Sequence, residues 1–222
     1  GGGVIAAIAY IMYRLTGTGQ QWLFLGIGFY AVYSWAASLR ARDPAAYALI
    51  WQSPAFLCTI MGYGTVAFVS YAGSYWAAPY AERVFMVPKT EIGWLIGGPG
   101  AVAGFLGVIL GGRMADWLRA RNPAGRILVI AFGALAPIIP FVIAYTTSSS
   151  TMFYVMVFIA SVFTASALGG AAATTQDLVL PRMRGTATAT FFLATTLFGL
   201  ALGPYMAGQV STATGSLSTG IL

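Results

Sequence analysis

The stretch that decides how this sequence is interpreted is Gly111–Arg126, GGRMADWLRARNPAGR. It follows one long apolar segment and precedes another. It contains one acid, Asp116, together with several arginines and a Pro-Ala-Gly turn. Charged side chains are costly inside the hydrocarbon of a bilayer. A short charged connection between two apolar segments therefore indicates a loop at a membrane surface.

The composition of the whole chain agrees with a membrane environment. Of its 222 residues, 59% are apolar and only 7% are charged, whereas a soluble domain carries about 25% charged residues. The formal charge of +6 comes from short clusters of Lys and Arg and not from a continuous basic face, which argues against a nucleic-acid partner. We therefore predict an all-α, polytopic membrane protein.

Apolar segments long enough to approach or exceed the span of about 30 Å of hydrocarbon alternate with stretches that hold nearly all the charge. The first segment is short and begins abruptly, without a methionine or a charged leader. We expect it to be a helix whose beginning is missing, in a chain that is a fragment. The seven predicted membrane helices are Gly3–Leu15, Trp22–Leu39, Pro54–Ala78, Ile92–Met114, Ile127–Tyr145, Met152–Thr174 and Thr186–Val210.

Basic residues fall mainly on alternate connections, and cytoplasmic loops retain Lys and Arg. The other connections hold Arg14, Arg83 and Lys89. We predict that the more basic side is cytoplasmic, with the amino end inside and the carboxyl end outside. Its eight basic residues are Arg40, Arg42, Arg113, Arg119, Arg121, Arg126, Arg182 and Arg184.

The fourth apolar segment carries glycines three and four residues apart, which places them on one stripe of a helix. Small residues let another helix approach closely in lipid. The stripe is explained either by static packing or by a surface that also slides during a transport cycle, and Pro99 permits a bend in the same helix. The glycines are Gly93, Gly97, Gly100, Gly104, Gly107 and Gly111.

The charged connection resembles the signature loop of the major facilitator superfamily, roughly G-x-L-A-D-R-x-G-R-R. Gly112, Met114, Ala115 and Asp116 match its first part, and a basic cluster that includes Arg119 and Arg121 follows. Trp117 stands where the family has a basic residue, and the second glycine is missing.

Two further stretches carry the resemblance. Gln176–Gly208 is similar to the eleventh helix of that family and the loop before it, through Pro181, Arg184, Gly185, Gly199, Gly203, Pro204 and Gly208. In Trp76–Gly112, a tryptophan and a proline at the end of one helix precede a glutamate and a glycine-striped helix ending in GGRMAD, an order that resembles the Spinster-like branch.

The resemblance implies that the chain corresponds to helices five to eleven of a twelve-helix transporter whose two halves rock about a midplane site. It implies residues 1–43 as the last two helices of the amino-terminal half, 44–53 as the central cytoplasmic loop, and 54–222 as five of six helices of the carboxy-terminal half. The expected function is secondary active or facilitative transport of a small organic or amphiphilic solute by alternating access. The expected location is a bacterial inner membrane.

An aromatic and hydroxyl face suits a solute with both apolar and polar parts, and several residues of this kind fall within the spans. Tyr and Trp near a helix end also serve as interfacial anchors, and Thr in lipid often bonds its own helix. The candidate substrate-binding residues are Tyr63, Tyr71, Ser74, Tyr75, Trp76, Thr164 and Thr195.

The same resemblance implies a cytoplasmic gate at the charged connection. A carboxylate at a helix end can pair with an arginine and accept hydrogen bonds from the start of a neighbouring helix, which would hold one conformation. Mere anchoring at the interface is the alternative. The candidate gate residues are Gly112, Arg113, Asp116, Arg119, Arg121 and Arg184.

Few residues are left for chemistry. The chain has no His, five carboxylates and a single cysteine, Cys58, which excludes His-based zinc sites, a Ser-His-Asp triad and an intrachain disulfide. We expect no enzymatic activity, cofactor or metal. The expected partners are a small-molecule or lipid-like substrate and membrane lipids. No charge lies near the centre of a span, so a coupling proton or ion would be handled elsewhere. A seven-helix receptor or channel is the alternative function.

Overall fold

All of the regular secondary structure is helical in the part that the computed structural model describes, residues 1–17 and 19–221. Among these residues, six helices are long and apolar enough to cross a membrane. A shorter apolar helix of 15 residues precedes them. The helices are α1 Gly2–Thr16, α2 Gly19–Arg42, α3 Pro44–Trp51, α4 Pro54–Val84, α5 Lys89–Arg119, α6 Gly125–Thr146, α7 Ser150–Asp177, α8 Pro181–Thr214 and α9 Leu217–Ile221.

Each of the seven predicted membrane segments lies inside one of these helices, so the predicted all-α membrane fold is confirmed. The predicted central loop, residues 44–53, contains the short helix α3. Asp43 caps this helix by accepting a hydrogen bond from the Ala46 amide at 3.0 Å, and Pro44 occupies its first turn. Ser53 and Pro54 begin α4 in the same way.

Helix α7 is the centre of the bundle, with α4, α5, α6 and α8 all packed against it. Its closest neighbour is α5, because two glycines of the predicted stripe remove the side chains between the two backbones. A Cβ added at Gly107 would lie 2.5 Å from the Val162 carbonyl oxygen, and one at Gly111 would overlap the Ser166 backbone. Close contact of this kind is what small residues supply in lipid, where burying apolar surface gives little drive for association.

The other half of the stripe does not pack. A Cβ added at Gly93, Gly97, Gly100 or Gly104 would meet nothing within 4 Å. Helices α5 and α7 therefore touch near Gly107 and Gly111 and separate toward the beginning of α5. The separation leaves a cavity at that end.

Two of the long helices contain a π-helical segment followed by a proline. In α5 the segment is Gly93–Gly97, shortly before Pro99, and in α8 it is Leu197–Leu202, shortly before Pro204. A proline has no N–H to offer to the preceding turn. Both helices are thus irregular within a span, and in α5 the irregularity lies beside Pro99, where the sequence analysis allowed a bend.

Helices α1 and α2 pack mainly against each other and leave most of their side chains exposed. Helix α2 also packs against α3 and reaches the rest of the bundle through a few contacts with α8. The Trp35 indole donates to Thr190 Oγ1 at 3.1 Å, and Phe29 and Phe198 meet edge to face. The division of the chain at residues 43 and 54 stays a prediction.

Candidate functional site

Four charged side chains meet where the ends of α5, α6 and α7 come together. Arg126 donates to Asp177 at 2.5 Å and to Asp116 at 3.0 Å, and Arg119 also donates to Asp177. We call these residues, Asp116, Arg119, Arg126 and Asp177, the charge cluster. It links three helices through two arginines and two carboxylates, whose formal charges cancel.

The members of the cluster differ in exposure. The Arg126 side chain is 16% exposed, the Asp177 side chain 37% and the Asp116 side chain 70%. Water screens an exposed ion pair strongly, and such pairs contribute little. The contact between Arg126 and Asp177 is therefore the stronger part of the cluster, and Asp116 lies at its rim.

The remaining predicted gate residues lie outside the cluster. The Arg121 guanidinium lies 3.7 Å from the centre of the Trp117 ring, in cation–π geometry. Arg113 and Arg184 are exposed. Gly112 lies against α7, because a Cβ added at Gly169 would be 3.1 Å from the Gly112 Cα. The sequence predicted that Asp116 pairs with an arginine, and the structure supplies Arg126.

The predicted gate set lacked Arg126 and Asp177, the two residues with the most buried contact in the cluster. Arg126 was visible in the charged connection. Asp177 lies 51 residues further along the chain, at the end of another helix. The available signal was that Asp177 is an isolated acid between Thr174 and the basic residues Arg182 and Arg184, where an unpaired acid beside a membrane would be unusual.

The cavity between α4, α5 and α7 has a volume of about 360 Å³. Two predicted substrate-binding residues, Ser74 and Thr164, line it. Leu95 and Phe158 supply apolar wall, and Gly100 lies on the open side of the glycine stripe. The cavity thus combines apolar surface with hydroxyl groups. The assignment of Ser74 and Thr164 to substrate binding stays a prediction.

Three of the hydroxyls that line the cavity donate within the protein, and two of them, those of Ser70 and Thr164, contact each other. Ser161 donates to the Val157 carbonyl at 2.8 Å, Thr164 donates to the Ser161 carbonyl at 3.1 Å, and Ser70 donates to Thr164 at 3.2 Å. The hydrogen bond from Ser70 to Thr164 joins α4 to α7 at the wall of the cavity. Thr164 is 3% exposed, so its contact with Ser70 lies within the bundle.

Tyr75 and Trp76 line a different groove, formed by α4, α8 and the beginning of α2. The Trp76 indole donates to the Pro204 carbonyl at 2.9 Å, next to the π-helical segment of α8. The Tyr75 ring is 61% exposed and meets Trp76 edge to face. This hydrogen bond ties α4 to the irregular part of α8.

Tyr63, Tyr71 and Thr195 lie near α8 and not in the cavity. The Tyr63 ring lies 5.2 Å from that of Phe191, and Tyr71 packs over Gly199. Thr195 donates to the Phe191 carbonyl of its own helix at 2.8 Å, as the alternative interpretation of a membrane Thr expected. Ser74 lines the cavity whereas Tyr71 lies against Gly199 of α8, so the seven candidates do not form one surface.

No group of three or more His, Cys, Asp or Glu side chains that could hold a metal ion occurs within residues 1–17 and 19–221. The described residues offer two features instead: a charge cluster at one end of the bundle and a hydroxyl-lined cavity toward the other. The charge cluster is suited to holding a conformation, and the cavity is suited to holding a solute.

The comparisons with known proteins point to one group. No family model matches the chain. Protein spinster homolog 1 of Xenopus laevis is 28% identical over 191 residues, which are 80% of this chain and 35% of that protein. The sphingosine-1-phosphate transporter SPNS2 of Xenopus tropicalis is 26% identical over 173 residues, 72% of this chain and 34% of that protein. The chain thus spans about a third of the length of these relatives.

A solved structure agrees with the sequence relatives. The crystal structure of a bacterial homolog of the human lysosomal transporter Spinster, inward-facing and unoccupied, matches with a TM-score of 0.69 and 30% identity. The match covers 79% of this chain and 36% of that one. Sequence and fold agree that this chain is an integral multi-pass membrane protein related to the Spinster-like branch of the major facilitator superfamily.

Proposed function

We propose that this chain carries solute-binding and gating elements of a transporter that moves a small organic or amphiphilic solute across a membrane by alternating access. The observation that carries the proposal is the geometry of α5 and α7. The two helices touch at Gly107 and Gly111 and separate around a cavity lined by Ser74 and Thr164. Both helices belong to the predicted carboxy-terminal half, and a contact at Gly107 and Gly111 leaves the beginning of α5 able to change its distance from α7 when the two halves rock against each other.

The cavity supports an amphiphilic solute. Its wall contains the hydroxyls of Ser70 and Thr164 beside the apolar side chains of Leu95 and Phe158. A solute with a polar head and an apolar part would satisfy both. The relative SPNS2 transports sphingosine-1-phosphate, an amphiphile, which supports the same class of solute for this chain.

The charge cluster is proposed as the cytoplasmic gate. It holds the connection between α5 and α6 against the end of α7 through Arg119, Arg126 and Asp177. Breaking it would free this connection and change the balance between inward-open and outward-open states. In this proposed gate, Asp116 lies at the rim of the charge cluster and Arg126 at its centre.

The orientation follows from the basic residues, and the proposed location is a bacterial inner membrane. Cysteines introduced as Ala120→Cys and Ser149→Cys in a Cys58→Ser background test this with an impermeant thiol reagent. We expect Ser149→Cys to be labelled in intact cells and Ala120→Cys only after permeabilisation. The reverse pattern would invert the proposed topology.

Transport itself is tested with the full natural gene product that contains this chain, reconstituted in liposomes loaded with a fluorescent lysosphingolipid. We expect saturable efflux above that of protein-free liposomes. Tyr71→Ala, which removes a ring 40% exposed beside Gly199, should slow it, whereas Tyr10→Ala on α1 serves as the matched control. Efflux equal to that of protein-free liposomes would reject the proposal, and equal rates in both variants would remove Tyr71 from the solute path.

A further inference from the structure

Three hydroxyl oxygens on the wall of the cavity between α4, α5 and α7 keep lone pairs available. Ser161 and Thr164 donate to backbone carbonyls, which can only accept. Because the Thr164 proton is then in use, Ser70 is the donor in its contact with Thr164. Each of the three oxygens therefore keeps at least one lone pair that none of these hydrogen bonds uses.

Two of these oxygens are close enough together to hold one ion. The Ser70 and Thr164 oxygens lie 3.2 Å apart, on two different helices. Hard cations take oxygen ligands, and neutral oxygens such as backbone carbonyls and waters serve beside carboxylates. A small cation that contacts one of the two oxygens can contact the other as well. The pair thus forms one side of a candidate cation site.

The break in α5 supplies carbonyl oxygen to the same cavity. Leu95, Gly97 and Pro99 line it. The Gly98 amide donates five residues back, to the Gly93 carbonyl, and Pro99 has no N–H, so a carbonyl of the turn before Pro99 lacks its usual helical donor. In secondary transporters, carbonyls of interrupted membrane helices coordinate Na⁺. The beginning of α5 is interrupted in a comparable way.

The charge that acts on the cavity wall is negative. Among the described residues, no Asp, Glu, Lys or Arg side chain lines the cavity. Glu91, near the beginning of α5, nevertheless interacts electrostatically with Tyr154, which does line it. Lys89, the basic residue nearest to Glu91 in the sequence, pairs with Glu82 at 3.3 Å. A cation entering the cavity would therefore gain attraction from Glu91, and an anion would be repelled.

Tyr154 indicates that the ion keeps part of its water. Its hydroxyl is buried and has no hydrogen-bond partner in the part of the chain that the structure describes. The cavity has a volume of about 360 Å³, whereas a water molecule occupies about 30 Å³ in the liquid. The cavity thus has room for a cation with several waters, and one of these can bind the Tyr154 hydroxyl.

We propose that this cavity binds Na⁺, with the Ser70 and Thr164 hydroxyl oxygens and a backbone carbonyl at the break in α5 as ligands, and with Glu91 providing a favourable potential. Because no charge lies near the centre of a span, the sequence led us to expect a coupling ion elsewhere, but a site of neutral oxygens needs no such charge. A bound cation also offsets part of the charge of a phosphate-bearing solute. Coupling of the ion to transport rests on the proposed function, whereas its binding does not.

Binding is measured with radioactive Na⁺ on the full natural gene product that contains this chain, purified in detergent, by scintillation proximity. N-methylglucamine replaces Na⁺ at constant ionic strength. We expect saturable binding that unlabelled Na⁺ displaces, and a higher melting temperature in Na⁺ than in N-methylglucamine. Absence of saturable binding would overturn the proposal.

Two threonine variants locate the ion. Thr164→Val keeps the shape of the side chain and removes a ligand, and it should weaken Na⁺ binding at least about tenfold, since even residues that only support a ligand change metal affinity by that much. Thr195→Val is the matched control. Thr195 is 2% exposed and Thr164 3%, but Thr195 bonds its own helix outside the cavity. Equal Na⁺ affinities in the two variants would reject the site.

Two further variants keep the test decisive if Thr164→Val does not fold. Ser70→Ala should also weaken binding about tenfold, whereas Ser166→Ala, which removes a buried hydroxyl bonded to its own helix, should leave it unchanged. Equal affinities in this pair would reject Ser70 as a ligand and with it the site. Glu91→Gln should weaken binding by at most about fivefold, because Glu91 is exposed, and by less as ionic strength rises. Tighter binding in Glu91→Gln would overturn the role given to this carboxylate.

The outcomes distinguish the site from the transport function. Na⁺ binding that depends on Thr164, together with absent efflux from liposomes, would reject transport and retain the site. Efflux by a protein whose Na⁺ binding is the same in Thr164→Val and Thr195→Val would retain transport and reject the site.

Discussion

Asp177→Asn tests the centre of the charge cluster. The substitution keeps the shape of the side chain and removes the charge that accepts from both Arg119 and Arg126. Asp116→Asn is the informative comparison, because Asp116 contacts Arg126 from the exposed side. Each variant thus removes one carboxylate charge that pairs with Arg126, from the more buried side in Asp177→Asn and from the exposed side in Asp116→Asn.

The expected magnitudes follow from exposure. A hydrogen bond to a charged group contributes about 1.5–3 kcal/mol. Arg126 is 16% and Asp177 37% exposed, so partial screening favours the lower end, about 1.5 kcal/mol, or about tenfold in a local opening equilibrium. Asp116 is 70% exposed, and its pair should contribute about 0.2–1 kcal/mol, or at most about fivefold.

Hydrogen exchange of the connection between α5 and α6 measures this opening directly. The amides of Arg121 and Asn122 donate to the Leu118 carbonyl at 3.0 and 2.8 Å, and that of Gly125 donates to the Asn122 carbonyl at 2.8 Å. We expect their exchange to accelerate about tenfold in Asp177→Asn and by less in Asp116→Asn.

Glu82→Gln provides the control at the far end of α5. Its pair with Lys89, at 3.3 Å, is exposed on both sides. Its loss should leave exchange in the connection unchanged. Equal or larger acceleration in Asp116→Asn than in Asp177→Asn would refute the assignment of Arg126 and Asp177 as the centre of the cluster.

Two further predictions concern helix contacts. Gly107→Ala places a Cβ 2.5 Å from the Val162 carbonyl and should lower stability by about 1–3 kcal/mol, whereas Gly104→Ala meets nothing within 4 Å and should leave the melting temperature unchanged or raise it. Similar melting temperatures for the two variants would contradict the one-sided packing of α5. Trp76→Phe removes the donor to the Pro204 carbonyl and should cost about 0.5–1.5 kcal/mol, seen as a lower melting temperature in detergent; no change would show that this contact contributes nothing.

The helices could be predicted from the sequence because membrane helices are set by a local property, the length of an apolar run between charges. Proline and serine at the start of α4 mark its beginning, and the cap found at Ser53 follows from them. The glycine stripe was equally visible. Which half of it packs was not, because that depends on where α7 separates from α5.

The candidate site could be predicted only where its residues are recognisable from the local sequence. Asp116 could be found from its own connection, but its partner network depends on Asp177, which the fold brings from another helix. Ser74 and Thr164 were identified by residue type, whereas the hydrogen bond from Ser70 to Thr164 joins residues that lie 94 positions apart in the sequence. Tyr63 and Tyr71 have the same residue type as Tyr154, and only the packing shows that Tyr154 belongs to the cavity.

The contact at Gly107 makes α5 a lever with its pivot away from the midpoint. Ten residues separate Gly107 from Gly97, a distance of about 15 Å along the axis. A tilt of about 10° around the pivot would move Gly97 by about 2.6 Å, close to the width of a methylene group. The same tilt would move Arg119, twelve residues to the other side and about 18 Å away, by about 3 Å in the opposite direction. The part of α5 that follows Pro99 would then move the cavity wall at Gly100 and Gly104 and the charge cluster together.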